Sequence, residues 1–123
     1  MKHAAILIVD DEKRYADMLA RRLTLRGLTS HACYDGCSAL DIINRTPIPM
    51  VILDLRLPDM YGLDVLEKIK AGRPETVVII LTGHGSEKDR AQSLAMGAYA
   101  FMNKPLDIDR LMDIVNKCGG IAL

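Results

Sequence analysis

An α/β fold built on a five-stranded parallel sheet, with helices on both faces, is predicted by three features of this sequence. Strand-like apolar runs alternate with helical patterns from end to end, which is the mark of βαβ units. The runs Ala4–Val9, Met50–Leu53 and Val77–Leu81 lack the alternation of a half-exposed strand, so both of their faces must be covered. Four of the strand-like runs also stop at a polar residue: Asp10 with Asp11, Asp54, Thr82 and Lys104.

Ala4–Val9 is the first strand. Asp11 to Arg26 reads as a helix with Ala16, Leu19, Ala20 and Leu23 on one face, and Gly27 supplies its left-handed stop. Thr29 to Cys33 is short and more polar, suited to a sheet edge. Cys37 to Asn44 forms a helix with Ala39, Leu40 and Ile43 inward, and Pro47 and Pro49 break the chain before the central strand Met50–Leu53. Pro58 cannot donate a ladder hydrogen bond, so this strand gives way to a loop that runs to Gly62. Leu63, Leu66 and Ile69 then make a helical stripe ending at Gly72-Arg73-Pro74. Val77–Leu81 leads into Thr82-Gly83-His84-Gly85, where a mobile loop is expected. Ser86 caps a helix that runs to Met96 and stops at Gly97. Tyr99–Met102 is the fifth strand, followed by Lys104-Pro105. The last helix begins near Asp107, with Leu106 and Leu111 spaced to staple its start.

At 123 residues the sequence makes one domain, residues 1–118, with a flexible tail at 119–123 that has no helical logic. Hydrophobic content of 50% with a single Phe and no Trp implies an aliphatic core. Sixteen basic and sixteen acidic residues cancel, so no overall field draws the chain to nucleic acid or an anionic membrane. The apolar runs fall far short of the roughly 20 residues a membrane helix needs, and the first residues lack a signal-peptide pattern. Cys33, Cys37 and Cys118 are odd in number and share no metal-binding spacing, which fits reduced thiols and a cytoplasmic location.

Parallel strands put all their carboxyl ends on one edge of a sheet, where ligands bind in open α/β folds. Asp10, Asp11 and Asp54 gathered there repel one another unless a cation holds them, and a hard, oxygen-seeking ion such as Mg2+ suits that duty. Asp54 is then a candidate nucleophile able to form an acyl phosphate. Lys104 offers a positive charge and Thr82 a hydroxyl to the phosphoryl oxygens. Each residue has a plainer reading: Asp10 and Asp11 as helix N-terminal acids, Lys104 as an ion-pair partner, Thr82 as a strand end. Convergence of all four strand ends favours the site.

On these residues the chain resembles a receiver domain of the bacterial response-regulator family. It carries the acidic pair after the first strand (VDDE), Asp54 with Leu57-Pro58 and Gly62 downstream, Thr82, and the Lys104-Pro105 pair, over residues 4 to 118. The resemblance implies a doubly wound, flavodoxin-like sheet of order 2-1-3-4-5. It implies that Asp54 accepts a phosphoryl group from a sensor histidine kinase or phosphotransfer protein. Mg2+ would be held by Asp11, Asp54 and the backbone carbonyl of Arg56, with Asp10 acting through water. It implies a cis Lys104–Pro105 bond, and a switch through Thr82 and Phe101, the latter at a position where Tyr is commoner. Arg56 and His84 fall where family members vary and tune phosphoryl lifetime. The output face would comprise the fourth helix, fifth strand and fifth helix, contacting an output protein or domain or a second receiver in a phosphorylation-linked homodimer.

Such a chain catalyses only its own phosphorylation and dephosphorylation and is not otherwise an enzyme. Its TGHG loop is similar to receivers of the nitrogen-regulation type, which usually precede an ATPase and a DNA-binding domain, so the chain is either a stand-alone receiver or an excised one. Three alternatives remain. A flavin or nucleotide carrier needs amides and hydroxyls after the first strand, where Asp10-Asp11-Glu12 instead repel phosphate. An aspartyl phosphatase needs a second carboxylate two residues after the nucleophile, where Arg56 stands. A non-phosphorylated interaction module has no use for the intact acid pair, Thr82 and Lys104.

Overall fold

The computed structural model describes residues 5–118. In chain order the elements are β1 (Ile6–Val9), α1 (Lys13–Leu25), β2 (Ser30–Cys33), α2 (Gly36–Arg45), β3 (Met50–Leu53), α3 (Gly62–Gly72), β4 (Val77–Thr82), α4 (Glu87–Ala95), β5 (Ala100–Asn103) and α5 (Ile108–Lys117). The sheet runs β2-β1-β3-β4-β5 with every pairing parallel. This is the doubly wound order, and its direction reverses between β1 and β3, which opens a crevice at their carboxyl ends.

Register aims the site residues. Val9 pairs with Leu53, so Asp10 and Asp54, each one residue further, emerge side by side. Thr82 pairs with Asn103, which puts Lys104 immediately beyond the last paired residue of β5. Successive strand side chains feed opposite layers. Ile6, Ile8, Ile52 and Leu81 pack with α1 and α5, and Leu7, Val9, Val51 and Ile80 pack with α2 and α3. Each buried Leu of the helix faces, such as Leu19, Leu23 or Leu66, contributes about 1.5–3 kcal/mol relative to exposure. The helix α4 differs: only Ser93 is buried, and none of its residues enters either core cluster. A capping box holds its start, with the Ser86 hydroxyl accepting the Asp89 N–H and the Asp89 carboxylate accepting the Ser86 N–H.

Local side-chain bonds explain where the boundaries depart from the expected ones. The Asp10 carboxylate accepts the Glu12 N–H at 2.9 Å, so the chain stays extended through Glu12 and α1 starts at Lys13, not Asp11. Two carboxylates seat α2. Asp35 accepts the Ser38 N–H at 2.7 Å, and Asp59, from the β3–α3 loop, accepts the N–H groups of Gly36 and Cys37 at 2.8 and 2.9 Å, so the helix begins at Gly36. The fifth strand lies one residue later than expected, at Ala100–Asn103. Asp107 caps α5, and Leu106 and Leu111 are buried in one cluster, as the staple spacing predicts. Gly27 and Gly97 adopt φ of 90° and 104°, the left-handed stops after α1 and α4. Cys33, Cys37 and Cys118 are free thiols. Among the described residues no helix is long and apolar enough to cross a membrane. Ala4, expected in the first strand, and the tail at 119–123 lie outside the described residues.

The N–H groups of Gly36 and Cys37 hold the Asp59 carboxyl down at about 2. Because the folded-state value is depressed, the stability this cap confers is present above the ordinary Asp value of about 4 and is lost as pH falls through about 2. Asp59→Ala therefore unfolds at a lower temperature than the wild type at pH 7, and the gap narrows below about pH 4. Thermal unfolding across pH checks this, and a gap that ignores pH would show that Asp59 acts by packing alone.

Candidate functional site

The site is a single ammonium among carboxylates at the carboxyl edge of the sheet. Lys104 Nζ lies 2.8 Å from Asp10 Oδ2 and 3.1 Å from Asp54 Oδ2, and it also pairs with Glu12 Oε1. Asp10 and Asp54 are 2% and 6% exposed, whereas Glu12 is largely in solvent. The oxygens of Asp10, Glu12 and Asp54 come within 4.8 Å of one another. Burial pushes the Asp10 carboxyl above its ordinary range; the Lys104 ammonium and the Glu12 N–H oppose this, and the nearby Asp54 charge adds to it. For Lys104, burial works against the ammonium, but its bonds to Asp10, Glu12 and Asp54 outweigh it and hold the group well above the usual lysine range. Lys104 is thus locked in its charged form.

Around this core the other expected residues take distinct places. Thr82 is fully buried at the end of β4, and its hydroxyl accepts the His84 N–H at 3.4 Å. Phe101 is half-buried, and its ring edge fills the space where a Cβ at Gly85 would stand; Thr82 Cγ2 is 2.9 Å from the same point. Thr82, Gly85 and Phe101 are therefore packed together. His84 is exposed in the loop. Arg56 is exposed, its N–H points to Asp54 Oδ1 at 3.4 Å, and it forms an isolated bridge with Tyr61. The Lys104–Pro105 bond is cis, in line with the family resemblance.

Asp11 is exposed and stays outside the cluster, whose third carboxylate is Glu12. The sequence reading missed Glu12, although VDDE carries it beside the acid pair. It also missed Asp59 and Tyr61, which tie the β3–α3 loop to its neighbours. Tyr61 donates its hydroxyl hydrogen bond to Asp89 Oδ1 at 2.8 Å, at the start of α4.

Fold and site together define a doubly wound α/β protein whose strand ends gather carboxylates around one lysine. The chain belongs to the response-regulator receiver family, since residues 6–116 match the model of the response regulator receiver domain. It is a receiver of the two-component signalling type. The transcriptional regulatory protein GlrR of Escherichia coli (strain K12) is 35% identical over 115 residues, covering 94% of this chain and 26% of that protein. The probable transcriptional regulatory protein TcrX of Mycobacterium tuberculosis (strain H37Rv) is 36% identical over 107 residues, covering 87% of this chain and 46% of that protein. This chain thus spans about a quarter of GlrR and less than half of TcrX. The crystal structure of the NtrX receiver domain from Brucella abortus superposes with a TM-score of 0.83 at 35% identity, over 92% of this chain and 96% of that one. The beryllofluoride-activated NtrC4 receiver domain, a dimer in solution, gives a TM-score of 0.85 at 30% identity, over 92% and 93%.

Removing the ammonium leaves Asp10 and Asp54 buried and unneutralised, a change that costs about 3 kcal/mol where a buried pair is broken. Lys104→Met accordingly loses about that much stability in metal-free buffer, while Asp54→Asn holds or gains stability by relieving repulsion. Urea unfolding in the presence of a chelator measures both. A Lys104→Met protein as stable as wild type would contradict the burial of this charge balance.

Proposed function

We propose that this chain takes a phosphoryl group onto Asp54 from a phosphohistidine, carried by a sensor histidine kinase or a phosphotransfer protein, in a reaction that depends on Mg2+. The observation that carries the proposal is the position of Asp54: a nearly buried carboxylate at the switch point of the sheet, 3.1 Å from a lysine that stays charged. In the transfer an Asp54 oxygen attacks phosphorus, a P–O bond forms, the P–N bond to the imidazole breaks, and the imidazole leaves with the electron pair. Lys104 offsets charge on the phosphoryl oxygens. The Thr82 hydroxyl, one strand away, turns from the His84 N–H to donate to them.

The donor set fits a hard divalent ion, since the clustered groups are carboxylate oxygens. Asp10, Glu12 and Asp54 are the clustered candidates to hold it. The family resemblance adds Asp11 and the Arg56 carbonyl, with Asp10 through water. When bound, Mg2+ supplies positive charge against the carboxylates and the phosphoryl oxygens. Arg56, whose N–H points to Asp54, and His84, whose N–H meets Thr82, tune how long the acyl phosphate lasts. Three free thiols fit a cytoplasmic setting.

The phosphorylated state is read out on the face of α4, β5 and α5. Loss of the Thr82–His84 contact shifts the β4–α4 loop, where Phe101 packs against Gly85 and Thr82, and α4 has little core packing to resist. The relatives named as transcriptional regulatory proteins support an output in transcription, and the NtrC4 receiver dimer supports a second receiver as one partner.

Incubation with acetyl phosphate and Mg2+, followed by intact-mass measurement, tests the acceptor. Wild type gains one base-labile phosphoryl group and Asp54→Asn gains none; uptake by Asp54→Asn would reassign the acceptor. Thr82→Ala is still phosphorylated, yet its amide NMR signals across Ser86 to Cys118 shift much less with beryllofluoride than those of wild type. Equal shifts in both proteins would send the signal by another route.

A further inference from the structure

The lysine of the site is itself held in place by a residue with no part in the reading above. Tyr15 sits in the first turn of α1, half-buried against the core layer of α1 and α5. Its hydroxyl oxygen accepts the Leu106 N–H at 2.9 Å. Its ring centroid lies 5.1 Å from Lys104 Nζ, within reach of a cation–π attraction. These contacts bracket the segment Lys104-Pro105-Leu106. Pro105 has no N–H, so Leu106 offers the first backbone donor beyond Lys104, and Tyr15 is the group that receives it. The lysine chain leaves a short segment fastened at one end by β5 and at the other by this bond, and the ring borders the ammonium that also pairs with the carboxylates.

We propose that Tyr15 is a positioning residue for Lys104: its hydroxyl anchors the backbone after Pro105 and its ring limits where the ammonium can sit, so that Lys104 stays directed at Asp54. The proposal rests on the reading of Asp54 as phosphoacceptor. A purely structural role would give Tyr15 the duty of filling space between α1 and α5. Tyr15→Phe keeps that filling and removes only the anchor; Tyr15→Leu removes the ring face as well.

The test measures Asp54 phosphorylation by phosphoramidate with Mg2+ in wild type, Tyr15→Phe and Tyr15→Leu, each alone and combined with Lys104→Ala. Loss of one hydrogen bond predicts a rate for Tyr15→Phe about two- to tenfold lower than wild type. Tyr15→Leu is slower by about a further two- to fivefold through loss of the cation–π contact. In the Lys104→Ala background both changes have little further effect, because they act through the lysine that is gone. Wild-type rates in both variants, or the same slowing with and without Lys104, would overturn the proposal. The side-chain ammonium signal of Lys104 in 15N NMR gives a second reading independent of chemistry: it moves in Tyr15→Leu if the ring borders it, and an unmoved signal sinks the positioning role. Should wild type take up no phosphoryl group, the acceptor reading fails, while the Lys104 signal still decides whether Tyr15 positions the lysine.

Discussion

Everything at the sheet edge depends on one ammonium set among three carboxylates. At an effective dielectric near 20, unit charges about 4 Å apart interact by about 4 kcal/mol, so the attractions of Lys104 and the mutual repulsions of Asp10, Glu12 and Asp54 are of the same order. The Glu12 arm counts least, because that carboxylate is mostly in solvent and screened. One cation against three carboxylates therefore leaves the cluster with excess negative charge. That excess favours a further cation at the cluster, which the proposed phosphoryl transfer to Asp54 would use. The fold makes this arrangement reproducible, since the Val9–Leu53 register delivers Asp10 and Asp54 side by side from a sheet that both helical layers bury.

From that edge two loops carry contacts outward. The β3–α3 loop reaches α2 through Asp59 and α4 through Tyr61, and the β4–α4 loop brings Thr82, Gly85 and Phe101 together. Both routes meet α4 at its first turn, where Asp89 serves the capping box and the Tyr61 hydroxyl at once. The helix they reach buries little of its own surface. Under the proposed function, a change of charge at Asp54 would act on the element of the fold with the least packing to oppose it, where a two-state rearrangement costs least.

Much of this was legible in the residues. Unbroken apolar runs such as Met50–Leu53 require cover on both faces, and a polar residue ends each run at one edge, so the sheet, its burial and the placement of Asp10, Asp54, Thr82 and Lys104 along that edge could be read directly. Contacts that depend on distant partners could not. Asp59 meets the N-terminus of α2 from 23 residues away, and Tyr15 meets Leu106 across 91, separations at which no periodic pattern survives. Short-range bonds moved boundaries: the Asp10 contact to Glu12 N–H delays α1 by two residues and turns Glu12, not Asp11, toward the lysine. Telling those two neighbours apart needs the backbone conformation, which composition does not encode.

Magnesium affinity tests the central charge balance most directly. If Lys104 offsets part of the cluster's negative charge and so competes with a second cation, then replacing it by the uncharged Lys104→Met must tighten Mg2+ binding, as followed by calorimetric titration of the unphosphorylated protein. Tighter binding in Lys104→Met than in wild type is the result this account predicts. Equal or weaker binding in a folded Lys104→Met protein would mean that the ammonium and the metal ion do not share these carboxylates.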